Sequence, residues 1–483
     1  MSTINFDLPA AAHEEMIRNG FHPDFPAAER SQVAKLATQP IQLGGDLRDL
    51  RHLLWSSIDN DTTRDLDQVE FAGRAASGVR LLIAVADVDR DVTVDSPIDR
   101  HAASETTSVY TAVRTFPMLP EELSTNLTSL LESQDRAAVV IELMLDSAGS
   151  IASSSIYRAL VRNKAQLTYN QVGPWLQKTA AAPGKVESSP ELQQQLQLQD
   201  EVAGKLRANR LRLGALNFDR VEAQPIVKDG KVQGLTARVK NRANDLIEDF
   251  MVAANETMAA TLRNAGVSTI RRVVRSPDRW PRIVEIAGRL GDALPERPDS
   301  AALGRFLERR RAADPVHYED LSLSVIKLLG PGEYVLARNG DPEEGHFGLA
   351  AHDYTHSTAP NRRFADLVIQ RLIKAVIGKT KPPYSDEQLE SIAQNCTMKE
   401  NAARKVERVM GKRVAAVALQ NRIGQTFSAV VTGVAAKGVF VRVIDPPAEG
   451  RLIGGEAGVD VGDKIQVKLL STDVERGFID FGR

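Results

Sequence analysis

Cysteine is nearly missing from this sequence: Cys396 is the single one among 483 residues. It cannot close an internal bridge, which fits a reducing cytosol, and it excludes a cysteine-ligated zinc site. Long hydrophobic runs are missing too. The most apolar stretch, Leu81–Ala86, is far too short to span a bilayer. The first residues lack the basic-then-apolar pattern of a signal peptide, so a cytoplasmic location is expected. Net charge is scarce as well. At a formal −2 the chain as a whole is no basic polyanion binder, and any nucleic-acid surface has to be local. What remains is an ordinary globular composition, 42% hydrophobic and 26% charged, which argues against disorder. The length suggests about three domains at roughly 100–200 residues each.

The pattern of residues changes along the chain. Two short helices are expected over Ala10–Asn19, stopped by Gly20, and over Ala27–Ala37, started by Pro26. They form a small N-terminal module (1–46) that reads equally as a helix-turn-helix or a capping segment. Strands are expected from about His52, with Leu81–Val88 and Ala138–Leu145 the clearest. Helices are expected over Glu121–Glu132, Ser188–Arg212, Ala243–Asn264, from near Pro360, and over Asp386–Gln420. Residues 424–483 break into short alternating strands, which suits a small barrel of OB-fold type.

The sharpest local signal is the acidic run Asp59-Asn60-Asp61-Thr62-Thr63-Arg64-Asp65-Leu66-Asp67-Gln68, set between two apolar strands. Crowded carboxylates repel one another, and a hard divalent cation removes that cost because it prefers oxygen ligands. Three readings compete on the residues alone. One is a solvated acidic loop. Another is an EF-hand, since Asp59, Asp61, Asp65, Asp67 and Glu70 match its spacing, although Arg64 stands where the sharp turn needs glycine. The third is a metal site for phosphoryl transfer.

Ile58-Asp59 with Thr63-Arg64-Asp65-Leu66-Asp67 resembles the metal-binding motif of the ribonuclease II and ribonuclease R exoribonucleases. Further segments follow in that family's order. They are Leu82–Val88, Thr107-Ser-Val-Tyr110 through Pro117–Ser124, and Gly345–Leu349 with Tyr354-Thr-His356 and Pro360-Asn-Arg-Arg-Phe364. Gly438-Val-Phe-Val441 and Gly462-Asp-Lys464 resemble the family's C-terminal RNA-binding barrel. The likeness covers about residues 47–483. It implies a multidomain α/β (α+β) protein with an RNB-type catalytic domain (47–420), an OB-fold domain (424–483) and a helical N-terminal module. It also implies processive, hydrolytic 3′→5′ degradation of single-stranded RNA to nucleoside 5′-monophosphates by a monomer, with Mg²⁺ or Mn²⁺ as cofactor.

By the same resemblance Asp59, Asp65 and Asp67 are the metal-site carboxylates, and Asp67 has the most critical role. Gln68 stands where the family carries a fourth carboxylate. Its amide oxygen can still ligate a hard cation but brings no charge, so weaker metal binding is the mild expectation and loss of catalysis the severe one. The latter keeps a second reading open, an inactive RNA-binding protein with the same fold. Asp61 is a nearby carboxylate that would compensate if it pointed inward. Only about 50 residues precede Asp59, too few for the paired cold-shock domains of well-known relatives, so a more open RNA path is expected.

Arg362 is expected on the scissile or adjacent phosphate and Arg363 in a structural role. On residues alone, an Arg362–Asp366 pair on a surface helix explains the segment as well. Tyr110 is the expected stacking platform for the 3′-terminal base, with Phe218 a candidate for its opposite face. Glu248 and Asp249 replace the family's paired glutamates, and Asp249 is favoured for the terminal ribose. His346, His352 and His356 lack helical metal-ligand spacing and read as structural or RNA-contacting. The mixed-charge stretch Lys399–Arg413 reads as a solvated helix. In the barrel, Phe440 with Lys437 and Arg442 forms a stacking and phosphate surface.

Overall fold

The computed structural model of the chain describes residues 6–38, 47–76, 78–218, 221–228, 231–315, 318–342, 345–435 and 438–483. At its centre is a mixed sheet of six strands in the spatial order Arg48–Asp49, Ile151–Thr168, Trp55–Asp59, Gln68–Ala75, Gly78–Ala86 and Asp135–Leu145. The 18-residue strand Ile151–Thr168 joins both sides. Its last residues run parallel to Trp55–Asp59, and the rest pairs antiparallel with Asp135–Leu145. The sheet therefore curls back on itself. Trp55, Ile58, Leu81–Ala86 and Val139–Ile141 are buried, as expected for strands covered on both faces.

Helices pack against this sheet. The expected helix Ala243–Asn264 is found at Arg242–Asn264, started by an Asn241 capping box. Phe364–Gly378 is buried almost all round through Phe364, Leu367, Val368, Ile369, Leu372 and Ile373. A third, Asp386–Leu419, runs for 34 residues, about 50 Å at 1.5 Å per residue. Its first half packs on the central core through Leu389, Ala393 and Cys396. Its second half, with Val406, Met410 and Val414, shares a separate core with the C-terminal strands.

Those strands close into a five-stranded barrel, in the order Thr426–Ala435, Gly438–Val443, Ala448–Leu452, Phe478–Gly482, Lys464–Asp473. Gly450 permits closure, because a Cβ there would lie 2.5 Å from the carbonyl oxygen of Ile479. The two N-terminal helices, Leu8–Arg18 and Ala27–Ala37, lie on the body. Leu8, Ala12 and Met16 enter the core that the long helix shares with the barrel. Gln32 accepts a hydrogen bond from the backbone of Ile98 (3.0 Å).

Several expected elements are corrected. The helix expected over Glu121–Glu132 is cut short: it is helical only to Leu127, ending in a wide turn at Leu123–Leu127, after which the chain leaves to pass beneath the acidic loop. The helix expected near Pro360 starts at Phe364, leaving Pro360–Arg363 as an irregular approach. The long strand Ile151–Thr168 and three helices, Trp280–Arg289, Ser300–Ala313 and Tyr318–Leu329, were not anticipated.

Candidate active site

The acidic run spans the gap between two neighbouring strands. Trp55–Asp59 and Gln68–Ala75 pair only at Ser56 and Glu70, so their other ends splay and the loop fills the opening. Leu66 anchors it. That side chain is fully buried, its N–H donates to Ser129 Oγ (3.0 Å), and its carbonyl accepts from Leu130 (2.9 Å). Ser129 Oγ donates in turn to the Arg64 carbonyl (2.7 Å). With Leu66 facing the core, the alternation of an extended chain turns Asp65 and Asp67 the other way, toward Asp59.

Asp67 is 2% exposed, and its Oδ1 accepts from the backbone N–H of Asn361 (3.0 Å). Arg362 approaches its Oδ2 through Nε at 3.4 Å, while 43% of the arginine side chain stays exposed. Burial pushes Asp67 up to about 7 despite Arg362. Asp59 is raised to about 7 by burial and then by the charge of Asp65, against the pull of Arg362 and a hydrogen bond from Gln68. Asp65 is half-buried and accepts from the hydroxyl of Tyr110 (3.0 Å). Three aspartates, Gln68, Arg362 and Tyr110 thus share one place. Three chain segments far apart in sequence supply them.

The fit to a cation rests on orphaned acceptors. Asp59 Oδ2 is buried without a hydrogen-bond partner, a state that costs about 1–3 kcal/mol unless a bound group relieves it. Among the described residues no group of three His, Cys, Asp or Glu side chains encloses an ion by itself, which leaves ligand positions for Gln68, water and substrate oxygens. Hard oxygen donors of this kind suit Mg²⁺ or Mn²⁺.

Other expected residues have different surroundings. Asp61 is exposed and accepts a hydrogen bond from Asn170. Arg363 pairs with Asp366 (2.7 Å), and the alternative Arg362–Asp366 pair is not formed. Asp249 is buried and paired with Arg210, whereas Glu248 is exposed and paired with Lys240. Burial raises Asp249 to about 6, with Arg210 opposing. Phe218 packs on the core formed by Trp280, Phe306 and Tyr318. Phe440 is half-buried on the barrel, across from Gly433, but Arg442 is held by Glu319 (2.5 Å) and Asp320 (2.9 Å). That pairing removes Arg442 as a free phosphate ligand, and Lys437 lies outside the described residues. His346 and His356 flank the ring of Tyr354, and His356 meets the Tyr334 hydroxyl at 2.8 Å, a structural cluster. The stretch Lys399–Arg413 is largely engaged: Lys399 donates to the Gly20 carbonyl (2.6 Å), Arg404 pairs with Glu400, and Arg413 donates to the Glu475 carbonyl.

Two residues of the site went unrecognised in the sequence. Asn361, named only within the Pro360–Phe364 segment, accepts from Thr128 Oγ1 (2.6 Å) and so fixes the backbone that holds Asp67. Glu70, noted only for its calcium-loop spacing, is fully buried, and burial and Asp59 push its carboxyl well above the usual range. Strand alternation from Gln68 was the available signal for Glu70.

A curled mixed sheet carrying an aspartate loop, joined by a long helix to a closed barrel, is the architecture of one class of nucleic-acid enzymes. The chain belongs to the RNB domain family: residues 47–379 match the RNB domain, and 425–483 match the RNase II-type exonuclease C-terminal S1 domain. It is similar to Ribonuclease R 1 of Lactococcus lactis (29% identity over 90% of this chain and 56% of that protein). It is also similar to Ribonuclease R of Escherichia coli (28%, 95% and 60%). The chain thus spans a little over half the length of these curated relatives. The solved structure of Mycoplasma genitalium RNase R in complex with ribose-methylated single-stranded RNA superposes with a TM-score of 0.88 at 25% identity, covering 99% of this chain and 78% of that one.

Proposed function

We propose that the chain is a divalent-metal-dependent, hydrolytic 3′→5′ exoribonuclease that shortens single-stranded RNA, or RNA with a single-stranded 3′ end, to nucleoside 5′-monophosphates. The observation that carries this reading is the gathering of Asp59, Asp65 and Asp67 beside the half-exposed Arg362 within an RNB fold. Mg²⁺ or Mn²⁺ held by these aspartates and Gln68 would lower the pKa of water and neutralise charge on the scissile phosphate. Arg362 offers its guanidinium fork to a phosphate oxygen and orients it against Asp67. Tyr110, 42% exposed, offers a ring face to the terminal base. The exposed Glu248 and the free Oδ2 of Asp249 are the acceptors assigned to ribose hydroxyls. Phe218, Arg363 and Phe440 support the RNA path, and the protein works as a monomer in the cytoplasm.

Gln68 supports a second reading, an RNA-binding protein that has lost catalysis. A time course on 5′-labelled single-stranded RNA separates the two. Stepwise shortening from the 3′ end is expected, abolished by chelator and reduced about 10³-fold or more in Asp67→Asn. Bound but intact RNA under both Mg²⁺ and Mn²⁺ would establish the second reading instead.

A further inference from the structure

The strands that carry Tyr110 are too short to stand by themselves. Val109–Tyr110 pairs with Thr115–Phe116 over two residues each, and a lone hairpin even of ordinary length is marginal in water. Its supports come from elsewhere, and two of them come from the start of the chain. On the far side of the turn, Phe116 meets the ring of His13, on the helix Leu8–Arg18, with centroids 6.3 Å apart. Val109 and Phe116 share one core with Leu8, Met16 and Phe21. Ahead of the hairpin, Glu105 is buried at the end of the helix Pro97–Glu105. It accepts from the backbone N–H of His22 (2.8 Å), and the His22 ring lies 3.2 Å from its other oxygen. Lys399 fastens the same corner. It donates to the Gly20 carbonyl, lies 4.6 Å over the Phe21 ring and stands 3.7 Å from Glu105.

The segment between these two anchors enters the site. Thr106, in the left-handed region at φ 59°, turns the chain out of the helix. Its carbonyl accepts from the Phe364 N–H (2.8 Å), and the Ser108 N–H donates to the Arg362 carbonyl (2.9 Å). Tyr110 follows, with its N–H on Glu407 (3.1 Å) and its hydroxyl on Asp65. We propose that the N-terminal helices are a positioning element of the RNA site. Through Phe116 and Glu105, His13 and His22 grip both ends of the hairpin that presents Tyr110 to the 3′-terminal base. The proposal rests on the stacking role read for Tyr110 above. Residues 6–38 lie ahead of the matched RNB domain, yet they brace its base platform. Stacking needs a ring held in one orientation. Fixing the backbone on both sides in advance removes part of the ordering cost that RNA would otherwise meet.

The test is the affinity of the full chain, in chelator, for two single-stranded RNAs that differ only in whether the 3′-terminal ribose carries a base. Wild type is expected to prefer the base-bearing RNA about 5–150-fold, the stacking worth of one base. Glu105→Ala combined with His13→Ala is expected to cut that preference about threefold or more, and to leave affinity for the abasic RNA within about twofold. Glu105→Gln keeps an acceptor for the His22 N–H and is expected to stay within about twofold of wild type. In a Tyr110→Ala background the double substitution is expected to change neither affinity by more than about twofold, because its target is gone. Thermal melting checks each protein. If Glu105→Ala does not fold, His13→Ala, 28% exposed at its side chain, carries the same expectation alone. Equal losses on the two RNAs, or the same loss with and without Tyr110, would overturn the proposal and assign the N-terminal helices to general stability or to direct RNA contact. A preference cut by less than about threefold overturns it as well. None of these results touches metal-dependent shortening from the 3′ end. Wild type that does not distinguish the two RNAs overturns the stacking role of Tyr110 and this proposal together.

Discussion

Tyr110 performs two separable tasks with one side chain. Its hydroxyl holds Asp65, and its exposed ring is available to a base. Tyr110→Phe keeps the ring and releases the carboxylate, so turnover is expected to fall several-fold with little change in RNA affinity. Tyr110→Ala removes the platform as well and is expected to weaken binding by about 1–3 kcal/mol, the usual worth of one stacked base. Filter binding in chelator, set beside a turnover assay, distinguishes these effects. Equal losses of affinity in both variants would assign the tyrosine to structure alone. That Asp59, Asp65, Asp67, Tyr110 and Arg362 belong together was legible at this scale, because they fall in ordered motifs, and the fold gathers them. Their partners were not. Nothing local to Asp249 announces that Arg210, on another helix, will claim it, nor that Arg442 will be tied to Glu319 and Asp320. Pairings of that kind depend on how elements meet in space.

The unit of the candidate site is a loop hung between two splayed strands, and Leu66 is its peg. Leu66→Ala leaves a cavity beneath the loop and is expected to cost about 2–5 kcal/mol, lowering the melting temperature and weakening Mn²⁺ binding with no acidic residue touched. Unchanged Mn²⁺ affinity in a destabilised variant would show that the loop holds its shape without the peg. The segment through His346 sets a pH dependence. Burial lowers His346 from an ordinary 6.5 to about 4, with the Arg272 charge adding to it, and His356 is also held well below 6.5. Between about 6.5 and about 4 the unfolded chain takes up protons that the fold refuses, so stability is lost as pH falls through that window. The raised carboxyls of Asp59, Asp67 and Asp249 act in the opposite direction over the same range. The histidine contribution is therefore read by difference: between about pH 7.5 and about pH 5, His346→Asn is expected to lose less melting temperature, or gain more, than wild type, by calorimetry. Helices with a strong apolar stripe, such as Arg242–Asn264, were legible to within a residue or two. Ile151–Thr168 was not, because its first five residues are exposed and serine-rich and read as a loop. Glu121–Glu132 misled through its acidic start and leucines, which the fold uses to line the turn under Leu66.

At the scale of the molecule, the order of the motifs along the chain carried the architecture, and the closed barrel stands where the alternating strands placed it. What sequence could not supply was the docking of the first helix, which depends on a surface assembled from the other end of the chain. Met410, fully buried on the long helix, lies in one core with Leu8 and Met16 on one side and Phe427, Val441 and Leu469 of the barrel on the other. Met410→Ala is expected to cost about 2–5 kcal/mol and to expose the first helix and the barrel to limited proteolysis together. Loss of the barrel with the first helix still protected would show that they unfold apart. If they melt as one, the beginning and the end of the sequence form a single thermodynamic unit bolted to a rigid spar. A tag or fused module ahead of Leu8 then perturbs the packing of the barrel, and a lesion in the barrel is read out as a loosened N-terminus.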